Sequence, residues 1–212
     1  MPKRQIILMA DIIKSSQKNQ KDLMEGFKKV VGSTSKKMPD AFLSPITITL
    51  GDEFQSVPSS LSDAILALYH IEESIIKNKQ DFKLRYVLLE GEIDTPINQK
   101  IAYGMLGQGL TDARELLNSS KREGLRFHVD LSDGEATRAL AHAFLVIQSI
   151  VDSWKLEKDY ELIAQFLEHR DYKIVADSLG KTRSQIYKRS KTLMTEEYFS
   201  MKSLINYIVK NI

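Results

Sequence analysis

The sequence predicts an α+β fold, in which a sheet domain with βαββαβ order is followed by an all-α domain. Up to about residue 131, short apolar segments rich in β-branched and aromatic residues alternate with segments of helical period. After residue 132 only helical patterns remain. The 212 residues include only 10 Gly and 5 Pro, which excludes the composition of a disordered or low-complexity chain.

The spacing of apolar residues predicts each element of the sheet domain. Residues 5–10 are nearly all apolar, which is typical of a strand buried on both faces of a sheet. The predicted strands cover residues 5–10, 46–50, 53–57, 82–89 and 126–129, and the predicted helices cover residues 17–37, 58–78 and 110–118. The second and third strands form a hairpin around Gly51 and Asp52, and a turn is predicted at residues 91–96. This order is that of a ferredoxin-like sheet with additions.

The C-terminal part is predicted to begin with one long helix. Residues 136–154 contain no Gly or Pro and are dense in Ala, Leu and Ile, which predicts a largely buried helix. We therefore expect a sheet domain over residues 1–131, a connecting helix within residues 132–155 and a helical domain over residues 156–212. An alternative is that the two parts pack as one unit.

Composition limits the classes of function. With 30 Lys and Arg against 28 Asp and Glu, the formal charge of +2 gives no whole-chain sign of nucleic-acid affinity. The absence of Cys excludes disulfides, thiolate zinc sites and a cysteine nucleophile. No apolar run approaches the roughly 18 residues of a membrane span, so we expect a cytoplasmic protein without a membrane partner.

Two aspartates follow predicted strands. Asp11 comes after the first strand and Asp52 lies at the turn of the hairpin. In a sheet of this order the first strand lies beside the hairpin, so the two carboxylates can converge at one edge. Converging carboxylates suit Mg²⁺ or Mn²⁺ bound together with phosphates. The alternative is that Asp11 caps a strand end and Asp52 is an ordinary turn residue.

Three short motifs resemble nucleotidyl cyclases. Residues 50–55, LGDEFQ, resemble the signature hairpin of GGDEF-type diguanylate cyclases with one glycine fewer. Residues 9–12, MADI, resemble the strand end that supplies the first metal aspartate of class III nucleotidyl cyclases, and residues 103–116 are similar to the segment that enters their catalytic helix. The resemblance implies a cyclase-like palm domain with a Mg²⁺ or Mn²⁺ site formed by Asp11, the Ile12 carbonyl, Asp52 and Glu53.

The catalytic helix departs from the cyclase pattern. Those enzymes have an Asn four positions before an Arg, whereas alignment on Gly107 and Leu110 puts Thr111 and Glu115 there and moves Arg114 one position early. One position turns a side chain by about 100° around a helix. The resemblance therefore implies a nucleotide or phosphate site, with Arg114 as a candidate residue, more readily than a working cyclase.

A glycine-rich segment precedes this helix. Gly104, Gly107 and Gly109 predict either backbone N–H groups that face a phosphate or a loop that needs positive φ angles. The spacing matches neither the dinucleotide-binding glycine pattern nor the P-loop pattern.

Residues 171–189 resemble a DNA-binding helix-turn-helix. Ala176, Gly180 and Ile186 stand four and then six positions apart. A small side chain lets two helices approach, glycine takes a left-handed turn position, and a branched apolar side chain packs the second helix on the first. Thr182 is placed to cap the second helix.

The second helix is basic. Residues 181–191 hold five positively charged side chains and no acidic one. Such a helix suits a DNA major groove, where Arg and Gln read base edges and Lys contacts phosphates. The candidate DNA-binding residues are Lys181, Thr182, Arg183, Ser184, Gln185, Lys188 and Arg189. The alternatives are a solvated polar helix or a helix-turn-helix that binds protein. The apolar residues within 198–208 predict a closing helix or a dimer contact.

The whole chain resembles the SatD family of bacterial proteins. The segments that carry this resemblance are MADIIKSS, ITITLGDEFQSV, LRYVLLEGEIDTPIN, GMLGQGLTDAREL and the C-terminal helix-turn-helix. The resemblance does not itself assign an activity. From the residues we predict a homodimeric DNA-binding transcriptional regulator whose palm binds a nucleotide or phosphate ligand with a divalent ion. The alternatives are a metal-dependent nucleotidyl cyclase or transferase, and a degenerate palm that acts as a dimerisation platform.

Overall fold

The computed structural model describes residues 3–122 and 124–212, which contain one five-stranded β-sheet and eight α-helices. The strands are β1 (Lys3–Ile12), β2 (Phe42–Ile48), β3 (Glu53–Pro58), β4 (Leu84–Ile93) and β5 (Phe127–Asp130). The helices are α1 (Gln20–Lys37), α2 (Leu61–Lys77), α3 (Gln108–Ser119), α4 (Gly134–Ser153), α5 (Leu156–His169), α6 (Tyr172–Ser178), α7 (Arg183–Thr192) and α8 (Thr195–Lys210). The mixed α+β class is confirmed, and β1 to β4 follow the βαββαβ order.

The first strand lies at the centre of the sheet. The strand order is β2-β3-β1-β4-β5, and every neighbouring pair is antiparallel except β4 and β5, which are parallel. Leu8 and Ala10 pack into the core on one face of the sheet, while Ile7 and Met9 pack into a second core on the other. The prediction of a strand buried on both faces is therefore confirmed.

The start of β2 and the end of β4 differ most from the sequence prediction, by four residues each. Strand β2 begins at Phe42 rather than at residue 46, although it contains Pro45. Because β2 is an edge strand, a residue without a backbone N–H is tolerated there. Strand β4 continues through Gly91 to Ile93, where a turn was predicted, because β1 pairs with it along its whole length.

Helices cover both faces of the sheet. The larger core lies under α1 and α2, where Phe27 stacks on Phe54 with ring centroids 6.3 Å apart. The smaller core lies under α3, whose Leu110, Ala113 and Leu117 pack on β1 and β4. Side chains at the strand ends that point to this side of the sheet therefore lie on the same face as α3.

The C-terminal helices share the larger core. Buried residues of α4, α5, α7 and α8 belong to the same apolar cluster as α1 and α2, and Lys202 of α8 forms an ion pair with Glu73 of α2. Helix α4 packs on β5 and α8, and α5 packs on α2. The domain limits at residues 131 and 155 stay a prediction, and the apolar core is continuous across them.

Candidate functional site

Three charged residues form a row across the sheet on the α3 face. Glu53 of β3, Asp11 of β1 and Arg85 of β4 lie directly opposite one another in register. Asp11 shares a face with Ile7 and Met9 because side chains alternate along a strand. Since opposite residues have Cβ atoms about 5 Å apart, the three side chains meet at the end of the sheet.

Cations neutralise both carboxylates of this row. Arg85 Nη1 donates to both oxygens of Asp11 at 3.0 Å, and Lys121 Nζ lies 3.6 Å from Asp11 Oδ2. Arg114 of α3 forms an ion pair with Glu53. Burial raises the pKa of Asp11 above its ordinary value, and the charges of Arg85 and Lys121 act in the opposite direction. The Arg85 Nε atom is buried without a hydrogen-bond partner within the described residues.

The carboxylate of Asp52 belongs to a different set of contacts. Its Oδ2 accepts a hydrogen bond of 2.5 Å from Ser15 Oγ, and its backbone oxygen accepts one of 2.9 Å from the Ile12 N–H. The acidic residue that faces Asp11 across the sheet is Glu53, and the Ile12 side chain lies in the core. Sequence reasoning therefore identified Asp11 and Glu53 as candidate residues. It missed that Arg85 pairs with Asp11 and that Arg114 pairs with Glu53.

This arrangement does not fit a divalent ion as it stands. Residues 3–122 and 124–212 contain no group of three His, Asp or Glu side chains arranged to hold a metal. A cation would have to displace Arg85 from Asp11 and Arg114 from Glu53. The Mg²⁺ or Mn²⁺ site at Asp11, Ile12, Asp52 and Glu53 stays a prediction.

The glycine-rich segment allows α3 to lie close to β4. A Cβ atom on Gly109 would lie 2.6 Å from the carbonyl carbon of Gly91, and one on Gly107 would lie 2.5 Å from the Glu92 oxygen. Gly104 has a positive φ of 74°, as the loop alternative predicted. Close packing and turn geometry thus account for these glycines, while the phosphate site at Gly104, Gly107, Gly109 and Arg114 stays a prediction.

Helices α6 and α7 follow the predicted pattern of packing residues. Val175, Ala176 and Ile186 are buried, Gly180 has φ of 61°, and Thr182 caps α7. The cap is reciprocal, because the Thr182 side chain accepts from the Gln185 N–H and the Gln185 side chain accepts from the Thr182 N–H. Helix α7 is therefore held firmly at its N-terminus while only two of its residues, Ile186 and Ser190, are buried.

The predicted DNA-binding residues divide into two groups. Thr182 and Gln185 form the helix cap, and Arg189 forms an ion pair with Asp159, which is buried on α5. The others are exposed, namely Lys181, Arg183, Ser184 and Lys188. Arg183 lies 3.6 Å from Asp177 in an exposed pair, which contributes little. The second group forms the accessible basic surface.

A buried charge network was missed by sequence reasoning. Arg126 donates to Glu72 at 2.6 Å, to Asp152 at 2.9 Å and to the Leu84 carbonyl at 2.9 Å, and the Tyr86 hydroxyl donates to Glu72 at 2.8 Å. Burial lowers the pKa of Arg126, but the two carboxylates outweigh this and keep it charged. The available signal was Glu72 at a position of α2 where the helical period calls for an apolar residue.

Residues 5–208 match the SatD family. The chain belongs to the SatD family. No curated protein matches its sequence. Within the described ranges, no helix of this SatD-family protein is both long and apolar enough to cross a bilayer.

Solved structures similar to this SatD-family chain include nucleotidyl cyclases. A bacterial light-regulated adenylyl cyclase aligns at 14% identity with a TM-score of 0.45, covering 61% of this chain and 44% of that one. The guanylate cyclase domain of RhGC from Catenaria anguillulae, in complex with GTP, aligns at 17% identity and a TM-score of 0.37, covering 55% and 72%. The monomeric guanylyl cyclase domain of the RhoGC fusion protein from Blastocladiella emersonii aligns at 16% identity with a TM-score of 0.36, and the alignment covers 56% of this chain and 78% of that domain. The chain thus spans less than half of the adenylyl cyclase.

Proposed function

We propose that this protein binds DNA and that α7 enters the major groove. The observation that carries the proposal is the exposed surface of α7. Seven of its ten residues are exposed, Arg189 is half-buried, and Ile186 and Ser190 are buried. Arg183, Lys188 and Lys191 give this helix a positive surface, in which Arg183 and Lys191 also form exposed ion pairs with Asp177 and Glu196. A ten-residue helix is about 15 Å long, and the major groove admits one.

The contacts within the protein support separate roles for the predicted DNA-binding residues. In helix-turn-helix proteins the first residues of the second helix reach base edges. Arg183 and Ser184 occupy that position, so we assign them to bases, and we assign Lys181 and Lys188 to phosphates. Thr182 and Gln185 form the exposed cap of α7 and Arg189 is held by Asp159, so we assign these three residues to orienting α7.

Selection of genomic fragments followed by titration in increasing salt tests this proposal. Affinity should fall as salt rises, because bound Lys and Arg release counterions from DNA. Lys188→Ala should reduce the slope of log affinity against log salt by about 1, and Arg183→Ala should cost about 1–3 kcal/mol and relax specificity at one base pair. Lys29→Ala, on the exposed side of α1, is the matched control. Unchanged affinity in the Arg183→Ala/Lys188→Ala double variant would rule out groove binding by α7.

The regulatory part of the proposal is a homodimer in which the sheet domain senses a small ligand. Leu204 and Tyr207 of α8 are 46% and 67% exposed, and this surface is our candidate for the dimer contact. A dimer of helix-turn-helix units binds half-sites about 34 Å apart, so selected fragments should contain inverted repeats one helical turn apart. Light scattering of the wild type and Tyr207→Ser checks the dimer.

A nucleotidyl cyclase or transferase is the enzymatic alternative. Such an enzyme would need Asp11 free for a metal and a cation free for the transferring phosphoryl group. The pairing of Asp11 with Arg85 and of Glu53 with Arg114 argues against it. Incubation with each nucleoside triphosphate and Mn²⁺ decides the point, because cyclic product or pyrophosphate that disappears in Asp11→Ala would establish catalysis.

A further inference from the structure

A cleft opens where the sheet meets the C-terminal helices. It has a volume of about 490 Å³ and lies between the end of β1, the start of β4 and the junction of α4 with α5. Its lining residues include four lysines, two aspartates and three aromatic side chains, which are Lys14, Lys18, Lys83, Lys155, Asp81, Asp152, Phe82, Trp154 and Tyr160. Its volume is within the range of small-molecule sites, roughly 300–1,000 Å³.

The lysines of this cleft are only partly neutralised. Lys18 pairs with Asp81 at 2.7 Å and Lys83 pairs with Asp152 at 2.8 Å. Asp152 is shared with Arg126, so its charge is already balanced by two cations. Within the described residues, the ammonium groups of Lys14 and Lys155 make no side-chain hydrogen bond or ion pair. The cleft therefore has an excess of positive charge that is available to an anion.

The rest of the lining is apolar but offers little aromatic surface. Its three aromatic side chains belong to the core and are only 3–7% exposed, whereas Ile13 and Leu156 are half-buried. Apolar side chains favour the organic part of a ligand, and lysine ammonium groups favour phosphate or carboxylate oxygens. We propose that this cleft binds a small organic anion, with Lys14 and Lys155 holding its phosphate or carboxylate group. Nucleoside monophosphates and aromatic carboxylates share this chemistry.

Two contacts connect the cleft to α7. Trp154 Nε1 donates to the Leu193 carbonyl, the cap residue at the C-terminal end of α7, at 2.8 Å. The Lys155 backbone N–H donates to Asp159 at 2.9 Å, and Asp159 pairs with Arg189 of α7. A ligand that shifts the α4–α5 junction therefore acts on both contacts. This consequence rests on the proposed function of α7, and it requires that ligand and DNA change each other's affinity by the same factor.

Calorimetry of the full chain in EDTA, with AMP, GMP, salicylate and inorganic phosphate as separate probes, tests the site. EDTA removes divalent metal, so binding observed in this assay does not come from a metal-dependent site at Asp11. At least one of the three organic anions should bind and raise the melting temperature, whereas phosphate alone should bind more weakly. Lys14→Ala/Lys155→Ala should weaken binding about tenfold or more while the unliganded melting temperature stays unchanged, because both side chains are exposed. Lys29→Ala/Lys36→Ala on α1 is the charge-matched control.

The outcomes separate the cleft from the DNA proposal. Failure of all three organic anions to bind, or equal binding by the Lys14→Ala/Lys155→Ala variant, would overturn the cleft site. Preference for inorganic phosphate would overturn the assignment of an organic ligand. Binding that depends on both lysines supports the site even if no DNA fragment is ever selected. If DNA binds but its affinity is the same with and without a cleft ligand, the coupling to α7 is refuted and the site stands.

Discussion

Replacement of the buried Arg126 by Met should strongly destabilise the protein. Arg126 is 3% exposed and bonds to Glu72, Asp152 and the Leu84 carbonyl. It thereby joins α2, β4 and α4 to the chain that enters β5. Methionine fills a similar apolar volume but leaves the buried Glu72 carboxylate without its cation.

The size of the effect follows from the burial of the pair. Breaking a buried ion pair by removal of one partner costs about 3–5 kcal/mol, since the remaining charge is desolvated without compensation. Natural proteins have unfolding free energies of about 5–15 kcal/mol, so the variant loses a large part of its stability. In a chain of this size 1 kcal/mol shifts the melting temperature by about 2–4 °C, which gives an expected drop of about 6–20 °C.

Urea titration and thermal melting followed by circular dichroism measure this change. Arg138→Met, an exposed position on α4, is the matched control and should change stability by less than about 0.5 kcal/mol. The double variant Glu72→Gln/Arg126→Met should be less destabilised than the sum of its single variants, because it removes both charges. A loss below about 1 kcal/mol in Arg126→Met would show that the network does not hold these elements together.

Gly109→Ala should destabilise the protein by about 1–3 kcal/mol, because the new methyl group meets the β4 backbone. Gly32→Ala, in open space on α1, is the control and should stabilise the protein by about 0.5–1 kcal/mol. Equal melting temperatures of the two variants would contradict the close packing of α3. Burial raises the pKa of four tyrosines, to about 12 for Tyr160, so these ionise more readily in the unfolded chain. Stability should therefore fall as pH rises above about 10, by about 1.4 kcal/mol per pH unit for each such tyrosine, and a constant unfolding free energy from pH 10 to 11 would refute this. Thr182→Ala should cost about 1 kcal/mol through loss of the α7 cap and speed amide exchange in α7, while Thr182→Ser should retain both properties.

The fold was largely predictable because its signals are local. A run of apolar residues predicted a strand buried on both sides, and three- and four-residue spacing predicted α1 and α2. The errors lie where pairing overrides local pattern. The alternating pattern placed the start of β2 at residue 46 and Gly91 indicated a turn, but neither signal reveals that β2 is an edge strand or that β1 pairs along all of β4.

The candidate site was predictable only in part. Local sequence identified Asp11 and Asp52 as acidic strand ends, yet their partners depend on sheet register. Asp11 is 74 positions from Arg85, and only the alignment of β1 with β4 brings them together. The cleft has the same origin, since Lys14 and Lys155 are distant in sequence and no motif contains both.

The exposed surface of α7 has a structural requirement that explains its contacts with the core. Isolated helices of this length are marginal in water, and α7 buries only Ile186 and Ser190. Its position therefore depends on packing against α6, where Tyr187 contacts Tyr172, and on three polar contacts. The polar contacts are the Thr182 cap, the ion pair of Arg189 with Asp159 and the bond from Trp154 to Leu193. Two of these three contacts lie next to the lysine-lined cleft. We therefore expect α7 to present its basic side chains to a partner and to change its orientation when the cleft is occupied.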